Sequence, residues 1–280
     1  MRILVTGSHG MLGADLVSEL SGHDVYGADI DTLDICSLND VIDYTQTIKP
    51  QAVINCAAYT NVDGCETDIY TAYRANGLGP KNLAIACNKF GIPLLHISTD
   101  YVFDGLKGSA YMEGDTPNPL SIYGKSKLDG ENYVRSLTNR YFIIRIQGLY
   151  GKHGNNFIKS ILKIANEKGS LKVVNDQTSN TTYTKDLCAA IHELIKTEHY
   201  GIYHVSNAGA VTWYEFAKEI LKQTGLENMP ITPCTTAEFP RIAKRPAYSS
   251  LNNVYWELCG FKPLRNYREA LNDYLKEITK

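Results

Sequence analysis

The sequence predicts an α/β protein built around a doubly wound parallel sheet. Short apolar or β-branched runs alternate with helix-like segments throughout residues 1–150. A glycine-rich turn follows the first run directly, and small or polar residues stand where several predicted strands end. Ligands bind beyond the carboxyl ends of the strands in such a sheet. These residues are therefore candidates for one shared site.

The first predicted strand, residues 2–6, leads into a glycine-rich turn and a predicted helix. Glycines at such a turn let the backbone approach a pyrophosphate, and the helix N-terminus offers free N–H groups. The spacing is Gly-x-x-Gly-x-x-Gly, which differs from the Gly-x-Gly-x-x-Gly of standard dinucleotide sites. The turn predicts a dinucleotide cofactor held by Gly7, Gly10, Met11, Leu12 and Gly13.

The second predicted strand, residues 24–28, ends at Asp29. An acid roughly 20 residues past the glycines can accept hydrogen bonds from a ribose diol, and it would repel a 2′-phosphate. No Lys or Arg occurs between Asp29 and Lys49. The sequence therefore favours NADH over NADPH, although a simple turn Asp is the alternative. Asp34 and Ile35 come next, on a loop that we expect to cover the adenine.

A third predicted strand, beginning at Ala52, runs into small residues that would let a cofactor lie close, so Ala57, Ala58 and Tyr59 are further cofactor candidates. Residues 66–89 have helical character. Asn76 within them is compatible with a hydrogen bond to backbone across the sheet and equally with an exposed surface position. The fourth and fifth strands are predicted at residues 92–97 and 141–145.

The segment after the fourth strand carries the groups of a reduction site. Thr99 is expected near the carboxyl end of that strand, and Tyr123 and Lys127 stand four apart on the next predicted helix, where they share one face. A phenol can give a proton to a carbonyl oxygen, and a nearby ammonium lowers the pKa of a Tyr from its usual value near ~10. Each group alone is also explained by a turn cap or a solvated Lys.

From residue 151 the pattern is less regular. We predict a dinucleotide-binding domain at residues 1–150 and a substrate-binding part at residues 151–280 that is partly interleaved with it. Helices are predicted at residues 157–168, 186–196 and 213–224, and strands at 171–174 and 201–205. Thr212 is a candidate N-cap. Arg245 is a candidate for a bidentate grip on a phosphate, or else an exposed surface Arg.

Composition excludes several classes of protein. The 28 basic and 30 acidic residues nearly balance, which argues against nucleic-acid or membrane-surface partners. No apolar run approaches the ~20 residues of a membrane span. The seven Cys and the His residues show no metal-ligand or redox spacing, so we predict no metal. Scattered thiols and the absence of a visible signal peptide predict a cytoplasmic protein, with a homodimer as one option.

Together these motifs resemble the extended short-chain dehydrogenase/reductases, and within them the dTDP-4-dehydrorhamnose reductase family, over essentially the whole chain. The segments that carry the resemblance are Thr6-Gly7-x-x-Gly10-x-x-Gly13, Val62-Asp63-x-Cys65-Glu66, Ser98-Thr99-Asp100-Tyr101-Val102-Phe103-x-Gly105, Pro119-Leu120-x-x-Tyr123-Gly124-Lys125-x-Lys127, Gly154-Asn155-Asn156-Phe157, Asp176-Gln177 and Arg245-Pro246. The resemblance implies a Rossmann-type sheet and an NAD(P)H-dependent reduction of a nucleotide-linked 4-keto-6-deoxyhexose.

The resemblance also implies roles for individual residues. Tyr123 would donate the proton to the keto oxygen, Lys127 would bond the nicotinamide ribose and lower the Tyr pKa, and Thr99 would polarise the carbonyl. Asp100 would lie beside Thr99 in the sugar site. The cofactor would be held by the glycine turn together with Asp29, Asp34, Ile35, Ala57, Ala58 and Tyr59.

The sequence departs from the family pattern in the expected substrate site. Gly148 stands where the family has a Trp, Ser179 and Thr181 replace a Gly and a Pro, and Tyr248 replaces an Asn. Either another aromatic residue, Tyr150 or Tyr248, supplies the missing contact, or a different nucleotide sugar fills the space. The sugar, the base and the oligomeric state stay open.

Two other functions are compatible with the same fold. The first is a nucleotide-sugar dehydratase or epimerase, but the related dehydratases carry a Glu where this chain has Tyr101. The second is a non-catalytic NAD(P)-binding regulatory subunit. The presence of Thr99, Tyr123 and Lys127 together argues against that role.

Overall fold

The computed structural model describes residues 1–279. Strands and helices alternate regularly up to residue 146. These elements are β1 (Arg2–Thr6), α1 (Met11–Glu19), β2 (Asp24–Ala28), α2 (Leu38–Ile48), β3 (Ala52–Asn55), α3 (Val62–Thr67), α4 (Ile69–Tyr73), α5 (Gly79–Phe90), β4 (Leu94–Thr99), α6 (Ile122–Leu137) and β5 (Tyr141–Ile146).

The rest of the chain has shorter strands between its helices. Its elements are β6 (Leu149–Tyr150), α7 (Phe157–Lys168), β7 (Leu171–Val174), β8 (Thr178–Ser179), β9 (Thr182–Tyr183), α8 (Thr184–Leu194), β10 (Gly201–His204), β11 (Val211–Thr212), α9 (Trp213–Gln223), β12 (Ile231–Cys234), α10 (Val254–Leu258) and α11 (Tyr267–Ile278). Within residues 1–279, no helix has the length and apolar character needed to cross a membrane.

Six strands form the central sheet in the order β10-β5-β4-β3-β1-β2. Every neighbouring pair in it is parallel, and the predicted doubly wound α/β fold is confirmed. The strand order reverses between β1 and β3, which is the position where such sheets bind ligands. Strand β10 comes from the second half of the chain and pairs with β5. The division at residue 150 stays a prediction.

Successive side chains of the central strands point to opposite faces of the sheet, and each face packs against a separate layer of helices. Ile3 and Val5 of β1 pack into one buried cluster with residues of α1 and α8, including Leu16 and Ile191. Leu4, between them, faces the opposite cluster, formed with α2, α5 and α6. Parallel strands buried on both faces consist of nearly continuous apolar residues, as in this chain.

The second half has a hydrophobic cluster of its own. It joins α7, α9 and α11 around aromatic and aliphatic side chains such as Tyr150, Phe216 and Tyr274. Thr212 caps α9 as predicted: its side chain accepts from the backbone N–H of Glu215, and the Glu215 carboxylate accepts in return from the backbone N–H of Thr212. This reciprocal arrangement is a capping box.

Several predicted boundaries are wrong, including those of the helix predicted at 186–196, which runs from Thr184 to Leu194. The segment predicted as one helix over 66–89 is broken at Asp68, and residues 74–78 form a π-helical turn before α5. The fourth strand begins at Leu94 rather than at 92, because Pro93 has no N–H to donate and pairing starts with Leu94. The strand also extends further than predicted, to Thr99. Ser98 and Thr99 are its last residues rather than the first residues after it.

A buried ion pair links α6 to the sheet. Arg145 of β5 donates from Nε and Nη2 to the two carboxylate oxygens of Glu131, at 2.9 and 2.6 Å. Ser98 of β4 donates to the same carboxylate at 2.5 Å. The side chains of Arg145 and Glu131 are 1% and 0% exposed, so each charge depends on the other for compensation.

We predict that Glu131→Gln lowers the free energy of unfolding by about 3–5 kcal/mol, because it leaves the Arg145 guanidinium buried without a counter-charge. Urea denaturation measures this loss. The matched control is Glu167→Gln, which removes an exposed pair with Lys163 and should cost roughly 0.5 kcal/mol or less. Equal effects of the two substitutions would contradict the structural importance of the buried pair.

Candidate active site

A cavity of about 450 Å³ lies beyond the carboxyl ends of β1, β3, β4 and β5. Both halves of the chain line it. The lining includes Gly7, Gly10, Met11, Leu12, Gly13, Ala58, Thr99, Asp100, Tyr123, Lys127, Gln147, Gly148, Gln177, Ser179, Trp213 and Ser249. Most of the predicted site residues are thus gathered around one space. Asp29, Asp34, Ile35, Ala57, Tyr59 and Arg245 are not among its lining residues.

The glycine-rich turn is as tightly packed as the sequence predicts. Gly7 has φ +69°, and a Cβ built on it would lie 2.6 Å from the backbone N of Ala57. A Cβ on Gly13 would lie 2.1 Å from the carbonyl oxygen of Gly7. Helix α1 begins after Gly10 with no side chain capping it. Its first N–H groups and its positive end therefore fit an anionic pyrophosphate.

The acidic loop after β2 lies beside this turn. The Asp29 carboxylate accepts hydrogen bonds from the backbone N–H groups of His9, at 2.9 Å, and Ile30, at 2.8 Å. Asp34 pairs with Arg74 at 2.7 Å. Ile35 is buried and fills the space in front of Gly79. Asp29 is thus the member of the loop in direct contact with the glycine turn.

Two buried Asn side chains position the segment after β3. Asn55 accepts from the backbone N–H of Ala57 at 3.1 Å and from the Thr6 hydroxyl at 2.8 Å. Asn76 accepts from the N–H of Tyr59 at 2.8 Å and donates to the carbonyl of Tyr59 at 3.1 Å. Of the two interpretations of Asn76, the surface position is wrong. The contribution of Asn55 had no signal in the sequence beyond its place in a strand.

Thr99 and Asp100 form a buried polar group at the end of β4. The Thr99 hydroxyl donates to the Asp100 carboxylate at 3.1 Å, and Ser249 donates to its other oxygen at 2.5 Å. Burial raises the pKa of Asp100 to about 7, against the opposing effect of these hydrogen bonds. Ser249 comes from the second half of the chain and was not predicted as a site residue. The Ser249-Ser250 pair was visible in the sequence, but nothing there indicated its partner.

Tyr123 and Lys127 lie on one face of α6, as predicted. Ser121 accepts from the backbone N–H of Gly124 at 3.2 Å, and Glu66 accepts from that of Ile122 at 2.8 Å, so the helix start is well anchored. The Lys127 ammonium donates to the carbonyl of Ile97 at 2.6 Å. Tyr123 packs edge-on against Tyr101 with 5.7 Å between ring centroids.

The lowering of the Tyr123 pKa by Lys127 stays a prediction, since burial has the larger effect on the pKa of this group. Burial raises the pKa of Tyr123 well above its usual value, with a hydrogen bond to Thr99 opposing the shift. Burial also lowers the pKa of Lys127 to about 8, while the nearby Glu131 carboxylate opposes that shift. The phenol is therefore protonated at neutral pH, which is the state that a proton donor requires.

The Arg245 side chain is engaged by a neighbouring acid. Its two terminal nitrogens donate to the two oxygens of Asp63, both at 3.2 Å. The bidentate geometry predicted for a phosphate is thus directed at a carboxylate of α3. Arg245 links the second half of the chain to α3 through this pair.

The aromatic substitutes proposed for the missing Trp are both wrong. Tyr150 is buried in the second hydrophobic cluster, and Tyr248 lies beside Thr178 through a bridge to β8. Neither lines the cavity, whereas Trp213 and Tyr101 do. Gly148 has φ +51°, and a Cβ on it would lie 2.9 Å from the carbonyl oxygen of Asn180. A side chain at position 148 would therefore be strained and would crowd the backbone of Asn180.

Within residues 1–279 no cluster of three or more His, Cys, Asp or Glu side chains is arranged to hold a metal ion. The seven cysteines are all free thiols. The polar side chains that line the cavity carry hydroxyl, phenol, ammonium, carboxyl and amide groups.

A model of the RmlD substrate binding domain family matches residues 1–280. The chain belongs to this family. The family predicted from the sequence motifs is thereby confirmed, and the matched region includes both the glycine turn and the Tyr123–Lys127 helix.

Relatives within the family have similar lengths. The chain is 42% identical over 278 residues to the spore coat polysaccharide biosynthesis protein SpsK of Bacillus subtilis, covering 99% of this chain and 97% of that protein. It is 39% identical to the dTDP-4-dehydrorhamnose reductase of Aggregatibacter actinomycetemcomitans, covering 90% of each. The dTDP-4-dehydrorhamnose reductase of Bacillus anthracis, solved in complex with NADP, superimposes with a TM-score of 0.95 at 41% identity, covering 99% of each chain.

We predict that Gly148→Ala lowers the free energy of unfolding by at least about 1 kcal/mol, the cost of left-handed backbone for a residue with a Cβ. The matched control is Gly108→Ala, since Gly108 has φ +72° but nothing within 4 Å of a built Cβ. The contact with Asn180 should make the loss larger at position 148. Equal losses in urea denaturation would show that this contact contributes nothing.

Proposed function

We propose that this chain reduces the keto group of a dTDP-linked 4-keto-6-deoxyhexose, with dTDP-4-dehydrorhamnose as the first substrate to test. The observation that carries the proposal is the placement of Thr99, Tyr123 and Lys127 around one cavity that also contains the glycine turn. The predicted reaction class, NAD(P)H-dependent reduction of a nucleotide sugar, is confirmed by the relatives named above. The individual roles of the residues are part of this proposal.

The glycine turn fits the cofactor that this reaction requires. The uncapped start of α1 and the close approach of Gly7 to Ala57 leave backbone, rather than side chains, facing the space where a pyrophosphate would lie. Asp29, held against this turn by His9, suits a ribose diol. When bound, NAD(P)H supplies the hydride for the reduction.

The chain itself supplies the proton and the polar surroundings. Tyr123, protonated at neutral pH, gives its proton to the oxygen of the former carbonyl and becomes a phenolate. The Lys127 ammonium has three donors, of which one is used by the Ile97 carbonyl. Its positive charge, held near the phenol, stabilises the phenolate. Thr99, at the end of β4, offers a hydroxyl to the same oxygen, and the phenolate regains its proton from solvent.

The competing enzyme reaction is less well supported by this site. Elimination of water from a nucleotide sugar needs an acid or base next to Asp100, and Tyr101 is the residue there. Its ring packs against Tyr123. The structural likeness to a UDP-glucose 4-epimerase of Thermus thermophilus, at 21% identity, concerns the fold alone. A homodimer and a cytoplasmic location remain predictions from the sequence.

We predict that Tyr123→Phe folds and binds NADH but reduces dTDP-4-dehydrorhamnose about 10²–10⁴-fold more slowly, the usual effect of removing a general acid. Loss of NADH absorbance measures turnover, and fluorescence titration measures cofactor binding. Tyr133→Phe, an exposed change further along the same helix, is the control. Near-normal turnover by purified Tyr123→Phe would reject the assignment.

We predict that kcat/KM falls as pH rises through about 8, because the Lys127 ammonium, whose pKa is lowered to about 8 by burial, then loses its charge. The pKa of Tyr123 is raised, so the phenol stays protonated across this range and does not cause the decline. A profile measured from pH 6 to 10 tests this. In Lys127→Arg, which stays charged, the decline near pH 8 should disappear; a wild-type profile that is flat to pH 10 would contradict the prediction.

We predict that NADH is used at least as well as NADPH, since Asp29 lies at the glycine turn and would repel a 2′-phosphate. Because a relative was solved with NADP, kcat/KM has to be compared for both cofactors in this chain. Asp29→Asn should shift the ratio towards NADPH, and the exposed Asp31→Asn on the same loop should not. A strong wild-type preference for NADPH would overturn the prediction.

A further inference from the structure

Gln147 carries a buried carboxamide that no protein group satisfies. The residue is 3% exposed, and neither its Nε2 nor its Oε1 has a hydrogen-bond partner within residues 1–279. Its backbone is well held, because the carbonyl accepts from the Thr182 hydroxyl at 2.8 Å. A buried amide without partners carries the full cost of its desolvation. A carboxamide that is unpaired, although its own backbone is held by a hydrogen bond, is a candidate for binding a ligand.

The other buried amide side chains of the described chain behave differently. Each makes at least one side-chain hydrogen bond within the protein: Asn55, Asn76, Asn82, Asn156, Gln177, Asn180 and Asn207. Two of them, Asn180 and Gln177, lie near Gln147. Asn180 donates to the carbonyl of Asn207 and accepts from the Ser250 hydroxyl. Gln177 donates to the Thr236 hydroxyl. These two amides therefore have protein partners, whereas the Gln147 side chain has none in the described part of the chain.

Gln147 lines the same cavity as the catalytic candidates. It follows directly on β5, whose last residue, Ile146, pairs with Thr99 of β4. Gln147 thus lies at the carboxyl end of β5, next to the end of β4 that carries Thr99. The next residue, Gly148, has no side chain to offer. Gln147 is consequently the polar group that this stretch contributes to the cavity.

We propose that Gln147 is a specificity-determining residue that hydrogen-bonds the hydroxyl group on C3 of the sugar. The proposal rests on the proposed function. In a 4-keto-6-deoxyhexose the keto carbon has two ring neighbours: C5 bears a methyl group, and C3 bears a hydroxyl. A carboxamide offers a donor and an acceptor, and a hydroxyl can satisfy either one. Because Thr99 is assigned to the keto oxygen, the neighbouring strand end would face a group on a carbon next to the keto carbon.

The proposed role of Gln147 bears on the departure from the family pattern at position 148. The resemblance places a Trp at position 148, whereas this chain has Gly148, preceded by Gln147. An apolar aromatic contact is thereby replaced by a polar one. A site built to hydrogen-bond a hydroxyl discriminates strongly against an analogue that lacks it, since its own polar group is then left unpaired.

The test is Gln147→Leu, with the exposed Gln46→Leu on α2 as the matched control. Calorimetry measures the affinity of each protein for a dTDP-6-deoxyhexose and for its 3-deoxy counterpart, and turnover is measured on the 4-keto sugar. The wild type and Gln46→Leu should prefer the hydroxylated sugar by roughly tenfold to a hundredfold. Gln147→Leu should lose this preference, keep its affinity for NADH, and become more resistant to urea, because an unpaired buried amide is replaced by an apolar group.

Two results would overturn the proposal. One is an unchanged preference for the 3-hydroxyl in Gln147→Leu, which would make the carboxamide a structural residue. The other is weakened NADH binding with the sugar preference intact, which would place the contact on the cofactor. If none of the 4-keto sugars tested causes the wild type to oxidise NAD(P)H, the proposed function fails. The calorimetric comparison still decides the role of Gln147 in that case.

Discussion

The docking of α6 against β4 is the contact on which the site depends. Successive turns of the helix meet the strand and the turn that follows it. A Cβ on Gly124 would lie 2.1 Å from the carbonyl oxygen of Tyr101, just after the strand. Lys127 donates to the Ile97 carbonyl, and Glu131 accepts from Ser98. The spacing of these contacts follows the helical repeat. Because the helix is held at all three levels, Tyr123 and Thr99 have a defined separation across the cavity.

Burial at this contact determines the protonation states as well as the geometry. Removal from water raises the pKa of Asp100 to about 7 and lowers that of Lys127 to about 8, and it keeps the phenol of Tyr123 protonated. The Glu131 carboxylate opposes the shift of Lys127, while its own charge is balanced by Arg145. The ion pair that joins helix to sheet therefore also helps to maintain the Lys127 ammonium, to which we assign the stabilisation of the phenolate.

The sequence predicted the features that depend on neighbouring residues, and it did not predict the contacts between distant segments. Strand and helix periodicity, the glycine turn and the one-turn spacing of Tyr123 and Lys127 depend on neighbouring residues, so the fold and most of the cavity lining were predictable. The bond from Ser249 to Asp100, the pair between Arg245 and Asp63, and the unpaired carboxamide of Gln147 depend on tertiary packing. A shift in pKa has the same origin, because it requires burial that no local pattern shows.

The central claim is that the cavity reduces the keto carbon of a nucleotide sugar by hydride transfer. Mass spectrometry of the product formed from dTDP-4-dehydrorhamnose and NADH, deuterated at the transferable position of the nicotinamide, tests it directly. One deuterium at C4 of the sugar is expected for each NADH oxidised. Oxidation of NADH without deuterium at C4, or a sugar product formed without NADH consumption, would contradict it.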